Sequence, residues 1–122
     1  MLKAVIVDDS KFMRAIIKGA LKDEAIEIVA EADNGSDGIA AFKKFKPDFM
    51  TMDITMGGKD GMKAVDEILT IDPSAKIIVI SALSENTIRL NAPKSYAASY
   101  LMKPFQKEQL IATINEIVVQ GK

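Results

Sequence analysis

The sequence contains no cysteine and no histidine. The first absence excludes disulfides and thiolate chemistry. The two together leave a structural zinc site without its usual ligands. No apolar run approaches the roughly 20 residues of a membrane-spanning helix. Met1-Leu2-Lys3 runs straight into a strand-like segment, without a signal-peptide layout. An excess of one charge is also missing: 16 Lys and Arg face 17 Asp and Glu, for a net charge of -1. Nothing therefore favours nucleic acid or an anionic membrane surface as a partner. The chain has no internal repeat, low-complexity tract or linker. The expectation is a cytoplasmic protein with no membrane insertion.

What is present is a core and an alternation. The 122 residues, 48% of them hydrophobic, suffice for one domain over 1–122. Short β-type runs occur at Ala4–Val7, Ile26–Ala30, Phe49–Met52, Ile77–Ile80 and Ser99–Met102. Amphipathic stretches lie between them. Phe12, Ile16 and Ala20 share one helical face, with Met13, Ile17 and Leu21 beside it. Ile39 and Phe42 begin a second face. Met62, Val65, Ile68 and Leu69 make a third, and Leu110, Ile114, Ile117 and Val118 a fourth. Asp60 and Ser84 read as helix N-caps. Strict β–α alternation predicts a doubly wound α/β fold, a parallel sheet with helices on both faces. The near-unbroken apolar runs suit strands covered on both sides.

The polar residues that end these runs carry the chemistry. Asp8 and Asp9 follow the first run, Asp53 the third, Ser81 the fourth and Lys103 the fifth. The carboxyl ends of parallel strands share one edge, where ligands bind. Three carboxylates at one point repel each other and raise their pKa values unless a cation relieves them. Mg2+ suits such a site, through one or two carboxylates plus phosphate oxygens. Simpler readings stand beside this one. The Asp pair also suits a cap on the Lys11–Leu21 helix. Lys103-Pro104 also suits a turn, and Ser81 a satisfied strand-end hydroxyl.

In Val5-Ile6-Val7-Asp8-Asp9-Ser10, Met52-Asp53-Ile54, Asp60-Gly61, Val79-Ile80-Ser81-Ala82 and Tyr100-Leu101-Met102-Lys103-Pro104-Phe105, taken in order, the chain resembles a response-regulator receiver domain. It is most similar to the stand-alone, CheY-like chemotaxis type. The resemblance covers the whole chain. It implies a single (βα)5 flavodoxin-like domain with strand order 2-1-3-4-5. It implies that Asp53 accepts a phosphoryl group from a histidine kinase. Asp9, Asp53 and the Thr55 backbone carbonyl would bind Mg2+, with Asp8 acting through water. Lys103 would pair with the phosphoryl group, Ser81 would close onto it, and Tyr100 would be the aromatic switch. Pro104 is a candidate for a cis peptide bond. The implied protein is a monomer and not an enzyme beyond its own phosphorylation and dephosphorylation. The implied output is contact with a downstream protein, such as a flagellar motor or another signalling protein.

Two segments depart from that family pattern. Met56-Gly57-Gly58 stands where a Met-Pro pair is usual. Pro93 falls inside the expected fourth helix, and Tyr96 stands where glycine is usual. A mid-helix proline costs about 3 kcal/mol, so a shortened or irregular helix is expected within Thr87–Ala97. A phosphate sink or relay intermediate is the alternative within the fold. An FMN carrier is disfavoured, because Asp8-Asp9-Ser10-Lys11 is acidic where a flavin phosphate would sit. A hydrolase with an aspartyl nucleophile lacks any visible substrate-capping insertion.

Overall fold

The computed structural model describes residues 1–54, 60–82 and 99–120. Its elements, in chain order, are β1 (Leu2–Val7), α1 (Lys11–Leu21), β2 (Ile26–Ala32), α2 (Gly35–Phe45), β3 (Phe49–Asp53), α3 (Asp60–Ile71), β4 (Ile77–Ser81), β5 (Ser99–Met102) and α4 (Lys107–Gln120). The strands form one sheet in the order β2-β1-β3-β4-β5, and every pairing is parallel. The expected Ser84 cap and the Thr87–Ala97 segment lie outside the described residues.

Side-chain alternation divides the core in two, because successive strand residues face opposite sides. Val5, Val7, Met50, Met52 and Val79 pack with α2 and α3, through Phe42, Ala64, Val65 and Ile68. Ala4, Ile6, Ile78 and Ile80 pack with α1 and α4, through Ile17, Leu21, Leu110 and Ile114. Full burial of one such aliphatic side chain contributes about 1.5–3 kcal/mol. The three central strands β1, β3 and β4 supply both cores, which makes the middle of the sheet its firmest part.

Several local details refine or correct the reading of the sequence. Residue by residue, α1 buries the Ile17–Leu21 line, whereas Phe12 is 75% and Ile16 43% exposed. Both lines are apolar and lie about 100° apart on a helix, so hydropathy alone cannot choose between them. The N-cap of α1 is Ser10, whose Oγ accepts the Met13 N–H at 3.1 Å, and not the Asp pair. Asp8 instead accepts the Ser10 N–H through Oδ1 at 2.9 Å. Finally, β2 is an edge strand running on to Ala32, with Glu27 and Glu31 exposed. Its partly buried residues pack on both cores, Val29 and Ala30 on one and Ile26 and Ile28 on the other, but the two exposed glutamates interrupt the apolar run. The helix α3 opens at Asp60 itself, where a cap was expected.

Candidate functional site

The backbone ladder continues past the strands and carries the polar residues to one edge. The Asp8 N–H donates to Ala32 O at 3.0 Å, the Ile54 N–H to Ile80 O at 3.2 Å, and the Lys103 N–H to Ser81 O at 2.8 Å. Register places Val7 beside Met52, and Asp53 beside Ile80. It places Ser81 beside Met102. Asp53 and Ser81 are therefore the last residues of core strands. Both are buried, as is Asp8, while Asp9 is exposed.

The structure brings together four of the expected residues. Asp8, Asp9 and Asp53 each offer a carboxylate oxygen within 4.8 Å of the other two. Lys103 Nζ donates to Asp53 Oδ2 at 3.1 Å and lies 3.8 Å from Asp8 Oδ2. Ser81 ends the neighbouring strand, one residue beyond the partner of Asp53. Tyr100 lies beside Val79 in the ladder and packs, partly buried, against the core on the α2 and α3 side. The Lys103–Pro104 bond is cis. Thr55 and Met56-Gly57-Gly58 lie outside the described residues.

Burial costs a carboxylate its hydration, and this governs Asp8. Its pKa is pushed up from 3.8 to about 6, chiefly by desolvation. The neighbouring Asp53 charge adds to the rise, while the Ser10 N–H and the Lys103 ammonium oppose it. Asp8 Oδ2 is buried and accepts no hydrogen bond among the described residues. An oxygen-only donor set containing a buried, under-satisfied carboxylate fits a hard divalent cation. It does not fit a soft metal.

Two contributors escaped the sequence reading. Gly61, in the first turn of α3, sits directly behind the Asp53 strand end. A Cβ there would come within 2.6 Å of Ile54 Cα and 2.7 Å of Asp53 O. The Asp60-Gly61 pair was legible as a motif, but not this close approach. The other is Arg14, whose Nη1 donates to the main-chain carbonyl of Asp8 at 2.6 Å. Its only sequence signal is a basic residue one helical turn beyond the Ser10 cap.

A core sheet of order 2-1-3-4-5 ending in an aspartate cluster and a lysine coincides with a family match over residues 4–115, to the response regulator receiver domain. The chain is a receiver domain. It is 41% identical over 116 residues to the chemotaxis protein CheY of Listeria monocytogenes, covering 95% of this chain and 98% of that one. It is 39% identical over 115 residues to CheY of Thermotoga maritima, covering 94% and 96%. Among solved structures, it superposes with a TM-score of 0.84 on CheY of Borrelia burgdorferi, solved with CheX, BeF3 and Mg2+. That match has 26% identity and covers 95% of this chain and 88% of that one. The receiver domain of Thermotoga maritima CheB also gives a TM-score of 0.84 at 26% identity, covering 98% and 97%. Receiver domains are signalling modules that bind Mg2+ at an acidic pocket, are phosphorylated by kinases and contact downstream targets. This receiver domain is of the CheY-like single-domain kind, consistent with two-component signalling and a chemotaxis-type role.

Proposed function

We propose that Asp53 is the phosphoacceptor of a receiver domain spanning 1–122. A carboxylate oxygen of Asp53 attacks the phosphorus of a kinase phosphohistidine. The phosphorus–nitrogen bond breaks, the imidazole departs, and Asp53 becomes an acyl phosphate. The observation that carries this reading is the 3.1 Å contact from Lys103 Nζ to Asp53 Oδ2 in a pocket that also buries Asp8. It supplies a nucleophile with a fixed cation beside it, in a place where phosphoryl transfer needs positioning and charge neutralisation above all.

Asp9 and Asp53, the Thr55 carbonyl and Asp8 through water would hold Mg2+, which supplies charge neutralisation on the transferring group. Lys103 spans Asp53 and Asp8 and is placed to follow the new charge onto a phosphoryl oxygen. The Ser81 hydroxyl, at the adjacent strand end, donates to another phosphoryl oxygen and closes on it. That contact exists only after transfer, so it biases the domain between two states. Tyr100, one strand residue before Leu101 on the same edge strand, relays the change by turning inward. Water hydrolyses the acyl phosphate and resets the domain.

The donor is a histidine kinase, and the output is contact with a downstream protein. The Borrelia CheY solved with CheX supports output of this kind. The CheY relatives support a cytoplasmic setting, and no described helix is long and apolar enough to cross a membrane. The test is intact-mass measurement after incubation with a small phosphodonor and Mg2+. The wild-type chain gains one phosphoryl group and Asp53→Asn gains none. Full phosphorylation of the variant would refute the assignment.

A further inference from the structure

Arg14 reaches two places at once. Its Nη1 donates to the Asp8 carbonyl at 2.6 Å, and its Nε to Glu31 Oε1 at 3.0 Å. Glu31, on the β2 edge, also accepts from Lys18 Nζ at 2.8 Å, and the two cations hold its carboxyl below the usual range. The Arg14 side chain is only 16% exposed, so the guanidinium is well held between helix and sheet. A planar fork of this kind fixes direction as well as distance.

The carbonyl it grips belongs to the peptide that joins Asp8 to Asp9. The rest of Asp8 is held from other sides, by Ala32 O on its N–H and by the Ser10 N–H on Oδ1. Asp9 is different. Its side chain is exposed, so its placement depends on the backbone that carries it. Rotation of the Asp8–Asp9 peptide would swing the Asp9 carboxylate away from Asp53 while leaving Asp8 anchored.

We infer that Arg14 is a positioning residue for the acidic site: braced by Glu31, it fixes the Asp8–Asp9 peptide and so sets where the Asp9 carboxylate meets Asp53. This rests on the reading of the three aspartates as a cation site. Charge and geometry make opposite predictions here. If the guanidinium mattered through its field, removing a positive charge would tighten the binding of a divalent cation. If it matters by holding the peptide, removing it loosens the binding, because partners that orient metal ligands typically contribute tenfold or more in affinity.

Calorimetric titration of Mg2+ into the full chain separates the two, together with the Asp9 amide NMR resonance of the metal-free protein. Arg14→Ala is expected to weaken Mg2+ binding about tenfold and to shift the Asp9 resonance before any metal is added. Arg14→Lys keeps the charge but not the fork, and is expected to weaken binding as well; it also serves if the alanine variant folds poorly. Lys18→Ala removes a charge from the same ion-pair network without touching Asp8, and should leave the affinity where it was. Unchanged or tighter binding by Arg14→Ala, with normal binding by wild type, overturns the inference and leaves the cation site standing. Equal weakening by Lys18→Ala overturns it too, because the effect would then not depend on the guanidinium's grip on the Asp8 carbonyl. A wild-type chain that binds no Mg2+ overturns the site and the inference together.

Discussion

Replacing Asp8 by asparagine should make the metal-free protein more stable at neutral pH. The unfolded chain releases the Asp8 proton around 3.8, whereas the folded protein holds it up to about 6. Between those values the folded state binds more protons, so stability falls as pH rises. The fall is complete above the folded value. A shift from 3.8 to about 6 corresponds to about 3 kcal/mol lost by neutral pH. Asp8 is fully buried, so water does not screen that cost away. Asp8→Asn removes the charge at nearly constant volume and keeps an oxygen to accept the Ser10 N–H. It gives up the attraction to Lys103 across 3.8 Å, but burial outweighs that attraction in the wild type, since the pKa rises despite it. Lys103 keeps its nearer partner Asp53. Thermal melting in a chelating buffer at about pH 7.5 should show the variant up to about 3 kcal/mol more stable. In a chain of this size that is on the order of 10 °C. At about pH 4 the gap should close, because Asp8 is then protonated in the folded wild type. A gap independent of pH, or a variant less stable at neutral pH, would show that burial is not what strains this carboxylate.

Gly61→Ala should cost about 1–3 kcal/mol by denaturant titration, because the new Cβ would meet backbone atoms that cannot swing aside. It should also slow phosphorylation at saturating Mg2+, since Asp53 O is one of those atoms; an unchanged rate would detach Gly61 from the site. On α1, Ile17→Ala should cost about 2–5 kcal/mol, whereas Phe12→Ala should stay within about 0.5 kcal/mol. Equal costs would mean that α1 is rotated from the orientation seen here.

The parts of the fold legible in the sequence were those where one signal ruled. Phe49–Met52 and Ile77–Ile80 are buried on both faces, and an apolar run is their direct imprint. β2 packs on both cores but, as an edge strand, also meets solvent at Glu27 and Glu31, so the apolar run stops at Ala30 while the strand goes on through Glu31 to Ala32. α1 offered two apolar lines, and the choice between them is made by how Ser10 and the Asp8 turn aim the helix at the sheet, which no periodicity records. The aspartates and Lys103 were visible because each interrupts or ends an apolar run. Arg14 was not, because its partner is a main-chain carbonyl, and every residue has one. Gly61 was visible as a residue but not as a fit, because the atoms it must clear belong to β3 and the residue after it. The expectations for Thr55 and for Thr87–Ala97 fall on residues outside those described and stand as they were drawn.

The acidic site also shows where stability has been given up for chemistry. A buried, desolvated Asp8 costs the folded state about 3 kcal/mol at neutral pH. A cation that binds only the folded protein returns about 2.7 kcal/mol when its concentration is 100 times its dissociation constant. The two figures are close, so a well-loaded site would offset most of the penalty and an empty one would leave it standing. The penalty falls at the ends of β1 and β3, the strands that contribute to both cores and are best able to bear it. The same carboxylate on the β2 or β5 edge would be rehydrated by water and would exert little pull on a cation. The depth that makes Asp8 costly is thus also the depth that would draw a cation to the cluster, and Lys103, shared between Asp8 and Asp53, keeps the cost finite without one. Under the proposed phosphorylation of Asp53, Lys103 must divide its attention differently. Asp8 is then the carboxylate that gains or loses the ammonium, which ties the protonation of a buried strand end directly to the state of its neighbour.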